Sequence, residues 1–319
     1  MLKFIFRKVI RMVAMLLLIS FLIFVGLNLT GVDPISYMMS PGSYNAETVE
    51  RIRELRGLND PLLIRYFRWI GDMARGDFGY SLSNGASIAD MLARKLPATL
   101  ELAICSLVLS SVIGILIGII SAVWQNGFLD YLTRALAVIG NSLPAYFIGL
   151  FLLQMFAIKL GWFPPSGRTN AAMPNANIFQ RWEYLALPVI AQTIGMCGNV
   201  MRYTRNTMLD VANREFVKTA RSKGLPEWKI QIKHVFRNSM RPVMVTIMLR
   251  LTMLVGGSVA IETVFNWPGI GMELTAAITS NDYPVVMVIT LMIAAVLLIA
   301  SFLIDIFTAV LDPRVHLDV

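Results

Sequence analysis

Long apolar stretches, separated by clusters of charged and polar residues, dominate the sequence. A helix needs about 20 mostly apolar residues to cross the hydrocarbon core of a bilayer. Five stretches of roughly this length contain no Lys, Arg, Asp or Glu, and a sixth is interrupted only by Arg250. The pattern therefore predicts six transmembrane helices, at about 9–30, 99–124, 135–158, 185–206, 242–262 and 284–308. The first is predicted to be a retained helix, because its apolar run is too long for a signal peptide and no small-residue cleavage site follows closely.

The composition supports an integral membrane protein. Of the 319 residues, 56% are hydrophobic and only 15% are charged, whereas soluble domains carry about 25% charged residues. This balance excludes an ordinary soluble domain and a disordered chain. Two cysteines and two histidines leave no basis for a disulfide framework, a four-ligand zinc site or a histidine-based acid–base centre.

Basic residues are concentrated in four segments, 1–11, 130–134, 202–241 and 305–319, which together hold 16 of the 28 Lys and Arg residues. Cytoplasmic loops of membrane proteins are enriched in Lys and Arg. We therefore expect both termini on the cytoplasmic side. The net charge of +8 then reflects biased loops, and no nucleic-acid partner is indicated.

The predicted organisation has four parts: the tail and first helix (1–30), an external helical segment (31–97), a core membrane domain (98–310) and a cytoplasmic tail (311–319). In the external segment, helices are predicted over 48–58, from Pro61 onward and over 87–96. The second has Leu62, Tyr66, Trp69, Ile70 and Met73 at helical spacing. This cap could contact a soluble partner or simply cover the ends of the membrane helices.

The most informative segment is the cytoplasmic loop, residues 207–241. Its first part carries a predicted apolar stripe of Leu209, Ala212, Phe216 and Ala220. Gly224 is suited to end that helix and Pro226 to begin the next. On the second helix, the apolar residues are predicted to share one side: Trp228, Ile232, Val235 and Phe236. A rigid helix–turn–helix projection of this kind suits docking to a protein that pushes on the membrane helices.

A run from Arg214 to Leu225, followed by Arg237–Pro242, resembles the cytoplasmic coupling motif of ABC-importer permeases. Further motifs resemble the peptide/nickel subfamily, in particular the first permease subunit of oligopeptide and dipeptide importers: Gly57–Pro61, Gly76–Ser81, Leu96–Glu101, Ser166–Arg168, Glu262–Gly271, Asp282–Pro284 and Asp312–Arg314. The resemblance covers nearly the whole chain. Two departures are Lys218, which stands where the motif usually has an acidic residue, and 30–34, where the usual Pro-Gly-Asp-Pro element is Thr-Gly-Val-Asp-Pro.

The resemblance implies an all-α type I permease fold in a prokaryotic inner (cytoplasmic) membrane, with peptides as substrates. It implies a second related permease in a heterodimer, one or two cytoplasmic ATPases and an external substrate-binding protein. The residues expected to contact the ATPase are Phe216, Ala220, Arg221, Gly224, Leu225, Pro226 and Trp228. Nickel, glutathione or another small solute is the alternative substrate.

The chain itself contains no Gly-x-x-x-x-Gly-Lys-[Ser/Thr] phosphate loop. It is thus expected to be non-catalytic and to hold no cofactor, with ATP and magnesium bound by partner subunits. An ion-coupled secondary carrier is the alternative from a different class, which the absence of mid-membrane carboxylates opposes. A membrane-embedded enzyme is a third alternative, and it is opposed because the sequence shows no acid–base or nucleophile constellation.

Four polar residues within the predicted spans are candidates to line a transport pathway: Arg250, Asn141, Ser142 and Asn199. A charge at the depth of Arg250 normally faces a bundle interior or an aqueous cavity. A structural ion pair is the alternative role for Arg250. For the three smaller residues, hydrogen bonding between helices is the alternative to lining a pathway.

Overall fold

The computed structural model describes residues 2–29, 50–51, 53–54, 57, 59–169 and 177–311, and describes only the backbone at 2–4, 251–257 and 307–311. Most of the helix predicted over 48–58, the element at 30–34 and nearly all of the C-terminal tail lie outside these residues.

Most of the described residues are helical, and none lies in a β-strand. The helices are α1 (Leu2–Leu29), α2 (Leu62–Ala74), α3 (Ile88–Val123), α4 (Phe128–Ser142), α5 (Ala145–Leu152), α6 (Trp182–Ala212), α7 (Glu215–Ser222), α8 (Glu227–Lys229), α9 (Arg237–Gly257), α10 (Val259–Val264), α11 (Ile270–Thr279) and α12 (Tyr283–Leu311). Two segments are π-helical: Leu153–Lys159 after α5 and Ile230–Phe236 after α8.

Four of the described helices, α1, α3, α6 and α12, are long and apolar enough to cross a membrane. A fifth span results if α4 is counted together with α5 and the π-helical segment that continues α5 to Lys159. These match the predicted spans one, two, four, six and three. The predicted fifth span, 242–262, falls on α9 and α10. The count of six is consistent with the structure and stays a prediction.

The third predicted span, 135–158, is not one straight helix. The chain bends by 98° between α4 and α5. The break lies at Leu143, which has φ −85° and ψ 130°, and Pro144 follows it. A proline sterically disfavours the helical conformation in the residue before it and has no N–H for the helix ladder, which accounts for the break.

The second span begins earlier than predicted. Residues 87–96 and 99–124 are not two helices, because α3 runs continuously over 36 residues and contains Pro97. On one side of Pro97, Ile88 and Leu92 are buried, and on the other Ala98 and Leu102 are buried. Packing on both sides therefore outweighs the one hydrogen bond that the proline removes.

The chain divides into two compact units. The first comprises residues up to Pro97 together with Gly269–Ile299. Its α2 confirms the predicted amphipathic helix, since Tyr66 is buried and its hydroxyl lies 2.8 Å from the Ser20 hydroxyl on α1. In the same unit, the Asp282 carboxylate accepts hydrogen bonds from the Ser81 and Ser83 hydroxyls and so fixes the turn before α3.

The second unit comprises Ala98–Pro268 together with the end of α12. Its core is built on α3, α5, α6 and α10, with Leu102, Ile148 and Trp267 buried. Gly114 and Gly118 on α3 face α6 so closely that a Cβ atom at either position would lie 2.7 Å from the Cβ of Val200 or Thr204. Small residues four apart allow such close approach of membrane helices.

Candidate functional site

The coupling loop, residues 207–241, contains the turn predicted from the sequence. Helix α7 ends in a Schellman motif: the Leu225 amide donates to the Ala220 carbonyl at 3.4 Å, and the Gly224 amide donates to the Arg221 carbonyl at 2.9 Å. Gly224 has φ +74°, the left-handed conformation that glycine adopts without steric cost. Pro226 directly precedes α8, as predicted.

One side of the coupling loop packs against the C-terminal ends of α3 and α6. Ala122 at the end of α3 shares one apolar cluster with the buried loop residues Met208, Val211, Val217, Ala220, Ile230 and Val235. The predicted stripe is thus wrong at Phe216, which is 42% exposed, while Val217 is fully buried. The helix breaks at Asn213, between α6 and α7, and this break changes which side of the following helix faces inward.

Three apolar residues of the loop are exposed: Phe216, Trp228 and Ile232. The predicted second stripe is therefore also wrong, because Trp228 is 67% exposed and Val235 is buried. The π-helical segment Ile230–Phe236 adds residues per turn and shifts the facing of its side chains relative to an α-helix. We define these three residues as the exposed apolar surface of the coupling loop.

An ion pair closes the turn. The Arg221 guanidinium donates to the Glu227 carboxylate at 2.8 Å, and Gln231 donates to the same carboxylate at 2.8 Å. The Arg221 hydrogen bond, with a smaller contribution from Gln231, holds the pKa of the Glu227 carboxyl below its usual range. Arg221 is thus engaged within its own chain, whereas Lys223 at the tip is exposed.

We expect the ion pair between Glu227 and Arg221 to be present at neutral pH and to be lost in acid. The pKa of Glu227 is lower in the folded than in the unfolded chain. The ion pair therefore stabilises the turn fully above the ordinary carboxyl pKa of about 4.3, and this stabilisation is lost as the pH falls through the folded pKa. Amide exchange at Gly224 and Leu225 should be faster in Glu227→Gln than in the parent at pH 7, and this difference should shrink in acid. Glu215→Gln, which removes the neighbouring Glu215–Lys218 pair, is the control. A difference that does not change with pH would contradict the assignment.

A buried carboxylate network lies beside the coupling loop, at the ends of α3, α4 and α6. Asp130 is fully buried, and its two oxygens accept from Arg205 Nε and Nη2, each at 2.8 Å. The Ser121 hydroxyl at 2.5 Å and the Asn126 amide at 2.9 Å also donate to it. The network therefore joins α6, which leads into the coupling loop, to the turn between α3 and α4.

A second carboxylate network lies in the same unit around Glu101 on α3, whose side chain is 8% exposed. Arg181 Nε donates to it at 2.9 Å, and Arg168 Nε donates to it at 2.9 Å. Neither carboxylate network was predicted from the sequence. The available signal was that Glu101 and Asp130 bound the charge-free stretch 102–129 at its two ends.

The candidate pathway residues come together only in part. The Asn141 side-chain amide on α4 donates to Asn199 Oδ1 on α6 at 3.2 Å, and Arg202 donates to the same oxygen at 2.5 Å. Arg250 on α9 is half-buried, and its Nε atom has no hydrogen-bond partner among the described residues. Ser142 does not join this polar cluster, since it is exposed and its hydroxyl donates to the Val138 carbonyl of its own helix.

Comparison with known proteins identifies the class. A protein described as an inward-facing conformation of the MetNI methionine ABC transporter shares the fold with a TM-score of 0.54 and 18% identity, covering 70% of this chain and 96% of that one. The model of the binding-protein-dependent transport system inner membrane component matches residues 114–317, and a model of the N-terminal part of such membrane components matches residues 1–103.

Relatives extend over nearly the full length. A Brucella suis biovar 1 protein, provisionally named as a peptide permease, is 38% identical over 99% of both chains. The oligopeptide transport system permease protein AppB of Bacillus subtilis is 35% identical over 99% of this chain and 100% of its own. The glutathione transport system permease protein GsiC of Escherichia coli K12 is 31% identical over 99% of both chains.

The fold is that of an ABC-importer permease, an all-helical, multi-pass membrane protein. The chain belongs to the family of binding-protein-dependent transport system inner membrane components. It is a non-catalytic permease subunit, and importers of this kind combine permease subunits with ATPase subunits and a substrate-binding protein. The resemblance stated from the motifs is confirmed.

Proposed function

We propose that this permease carries peptides across a bacterial inner membrane and that its coupling loop docks on the ATPase. The docking proposal rests on which residues of the loop are buried. Val217 and Ala220 pack in the cluster with α3 and α6. By contrast, the apolar residues Phe216, Trp228 and Ile232 are exposed. An anchored loop with an exposed apolar surface transmits a push from a partner to the membrane helices.

The substrate class is supported by the relatives, whose names refer to peptide, oligopeptide and glutathione transport. Glutathione, itself a peptide, is the second candidate because the GsiC relatives align over 99% of this chain. By the same relationship, a second, related permease forms the other half of the pathway. The binding protein delivers the substrate from outside, and one or two ATPases, which bind ATP and magnesium, attach from the cytoplasm.

The test is reconstitution of the assembled complex, with the second permease, the ATPases and the binding protein, in liposomes. A labelled tripeptide should accumulate only with ATP, and glutathione should compete if it shares the path. A cysteine introduced at Ser222 should crosslink to an ATPase subunit. The permease chain alone, as control, should hydrolyse no ATP. Accumulation without ATP, or hydrolysis by the single pure chain, would refute the proposal.

A further inference from the structure

Arg205 lies on the part of α6 that also supports the coupling loop. Met208 and Val211 follow it at intervals of three along α6 and are buried in one apolar cluster with Ala220 and Ile230 of the loop. Residues three positions apart are neighbours on the surface of a helix. A push on the coupling loop therefore reaches the turn of α6 that carries Arg205.

The guanidinium of Arg205 ties α6 to the first turn of α4. It donates from Nε and Nη2 to the two oxygens of Asp130, each at 2.8 Å, and its side chain is only 12% exposed. Ser121 on α3 and the Asn126 amide in the turn before α4 donate to the same carboxylate. Arg134 also approaches it, at 3.4 Å, but belongs to α4 itself. The carboxylate of Asp130 thus connects the start of α4 to both α3 and α6.

The start of α4 has no other buried residue. Among residues 128–136, all of which the structure describes, Asp130 alone is buried, and Phe128 is 79% exposed. The next buried residue is Ala137, where a Cβ atom at Gly198 of α6 would lie 2.7 Å from the Ala137 carbonyl oxygen. Close packing therefore holds α4 to α6 from Ala137 onward, whereas the buried contact of the preceding turns is the ion pair.

We propose that Asp130 is a positioning residue for transport, whose ion pair with Arg205 makes the start of α4 move together with α6 and the coupling loop. This inference rests on the proposed docking of that loop on the ATPase. A bidentate carboxylate–guanidinium pair suits the role, because its two parallel hydrogen bonds fix orientation as well as distance. Further along α4, the Asn141 side chain donates to Asn199 on α6. Without the tie, closure of the ATPase would move α6 while the start of α4 lags behind.

The test measures the number of peptides taken up per ATP hydrolysed by the assembled importer in liposomes. Asp130→Ala should lower this ratio at least about fivefold, the lower end of typical coupling between two sites. ATP hydrolysis and co-purification of the ATPase should persist, because the residues of the coupling loop are unchanged. Replacing both Asp130 and Arg205 by alanine removes the unpaired charge and should return part of the lost stability. The ratio should nevertheless stay low, whereas a purely structural role predicts that it recovers with stability.

A covalent link provides a reversible form of the test. Asp130→Cys and Arg205→Cys are combined in a background in which Cys105 and Cys197 are replaced by serine. In a series of bis-methanethiosulfonate crosslinkers of increasing length, at least one should raise the ratio again, and reduction of the link should lower it. A ratio that no crosslinker restores would contradict the inference.

Glu101→Ala is the matched control. It also removes a carboxylate that binds two arginines, but Glu101 lies about 30 Å from Ser121 along α3 at 1.5 Å per residue. It should lower stability and leave the ratio unchanged. An unchanged ratio in Asp130→Ala, or an equal fall in Glu101→Ala, would overturn the inference while uptake by the parent importer upholds the peptide function. If a cysteine introduced at Ser222 never crosslinks to an ATPase subunit, the docking proposal fails, and this inference fails with it.

Discussion

Replacing Asp130 with alanine should destabilise the folded permease by about 3–5 kcal/mol, the usual cost of removing one partner of a buried ion pair. Arg205 would keep its charge at a position where its side chain is only 12% exposed. The Ser121 hydroxyl and the Asn126 amide would lose their acceptor as well. Denaturant titration of the purified chain in detergent measures this loss of stability.

The control is Asp210→Ala, which makes the same change at an exposed position on α6. It should shift stability by no more than about 0.5 kcal/mol. A double replacement of Asp130 and Arg205 by alanine should cost less than the sum of the single changes, because the second removes the charge that the first leaves unpaired. Equal stability of Asp130→Ala and Asp210→Ala would show that the network carries no stability.

Replacing Gly224 with tryptophan should reduce peptide uptake at least about tenfold, a loss of docking of roughly 1.4 kcal/mol or more. Within this chain, a Cβ at Gly224 meets no atom within 4 Å, so the permease itself has room for a side chain. The positive φ adds a conformational strain of about 1–2 kcal/mol. We expect the larger effect from obstruction of the ATPase at the tip of the coupling loop.

Two matched variants separate strain from obstruction. Gly224→Asn keeps a small residue that tolerates the left-handed conformation, and should retain uptake within about twofold. Gly161→Trp imposes similar strain, since Gly161 has φ +64° and also meets no atom within 4 Å, but lies in a predicted external segment. Uptake per assembled complex and co-purification of the ATPase are the measurements. Equal uptake and equal ATPase co-purification in Gly224→Trp and Gly161→Trp would contradict the docking proposal.

The helices were predictable because their signals are local. An apolar run of bilayer length determines a span, and the spacing around Tyr66 determined the amphipathic α2. The turn at Gly224 and Pro226 was predictable for the same reason, since glycine and proline restrict the backbone at their own positions. The predictions were wrong about where helices continue or break. The sequence alone did not show that α3 continues through Pro97, whereas the third span bends before Pro144.

The candidate site was predictable as a segment and less so as a surface. Phe216 and Trp228 lie in the predicted coupling loop, but which side chains turn outward depended on the break at Asn213 and on the π-helical segment. One residue more or less per turn rotates every later side chain, so small local changes alter a whole face. Helical spacing alone therefore could not predict which side chains of the coupling loop face outward.

By itself, the sequence determined the class of protein, the approximate positions of four long apolar spans and the position of the turn at Gly224 and Pro226, because hydrophobic length and motif order are carried along the chain. Only the tertiary structure decided the partners of the charged residues. Asp130 with Arg205 and Glu101 with Arg168 are brought together from 75 and 67 positions apart. Such pairings arise from helix packing, in which close contacts at glycines such as Gly114 set the distances between helices, and no local pattern encodes those distances.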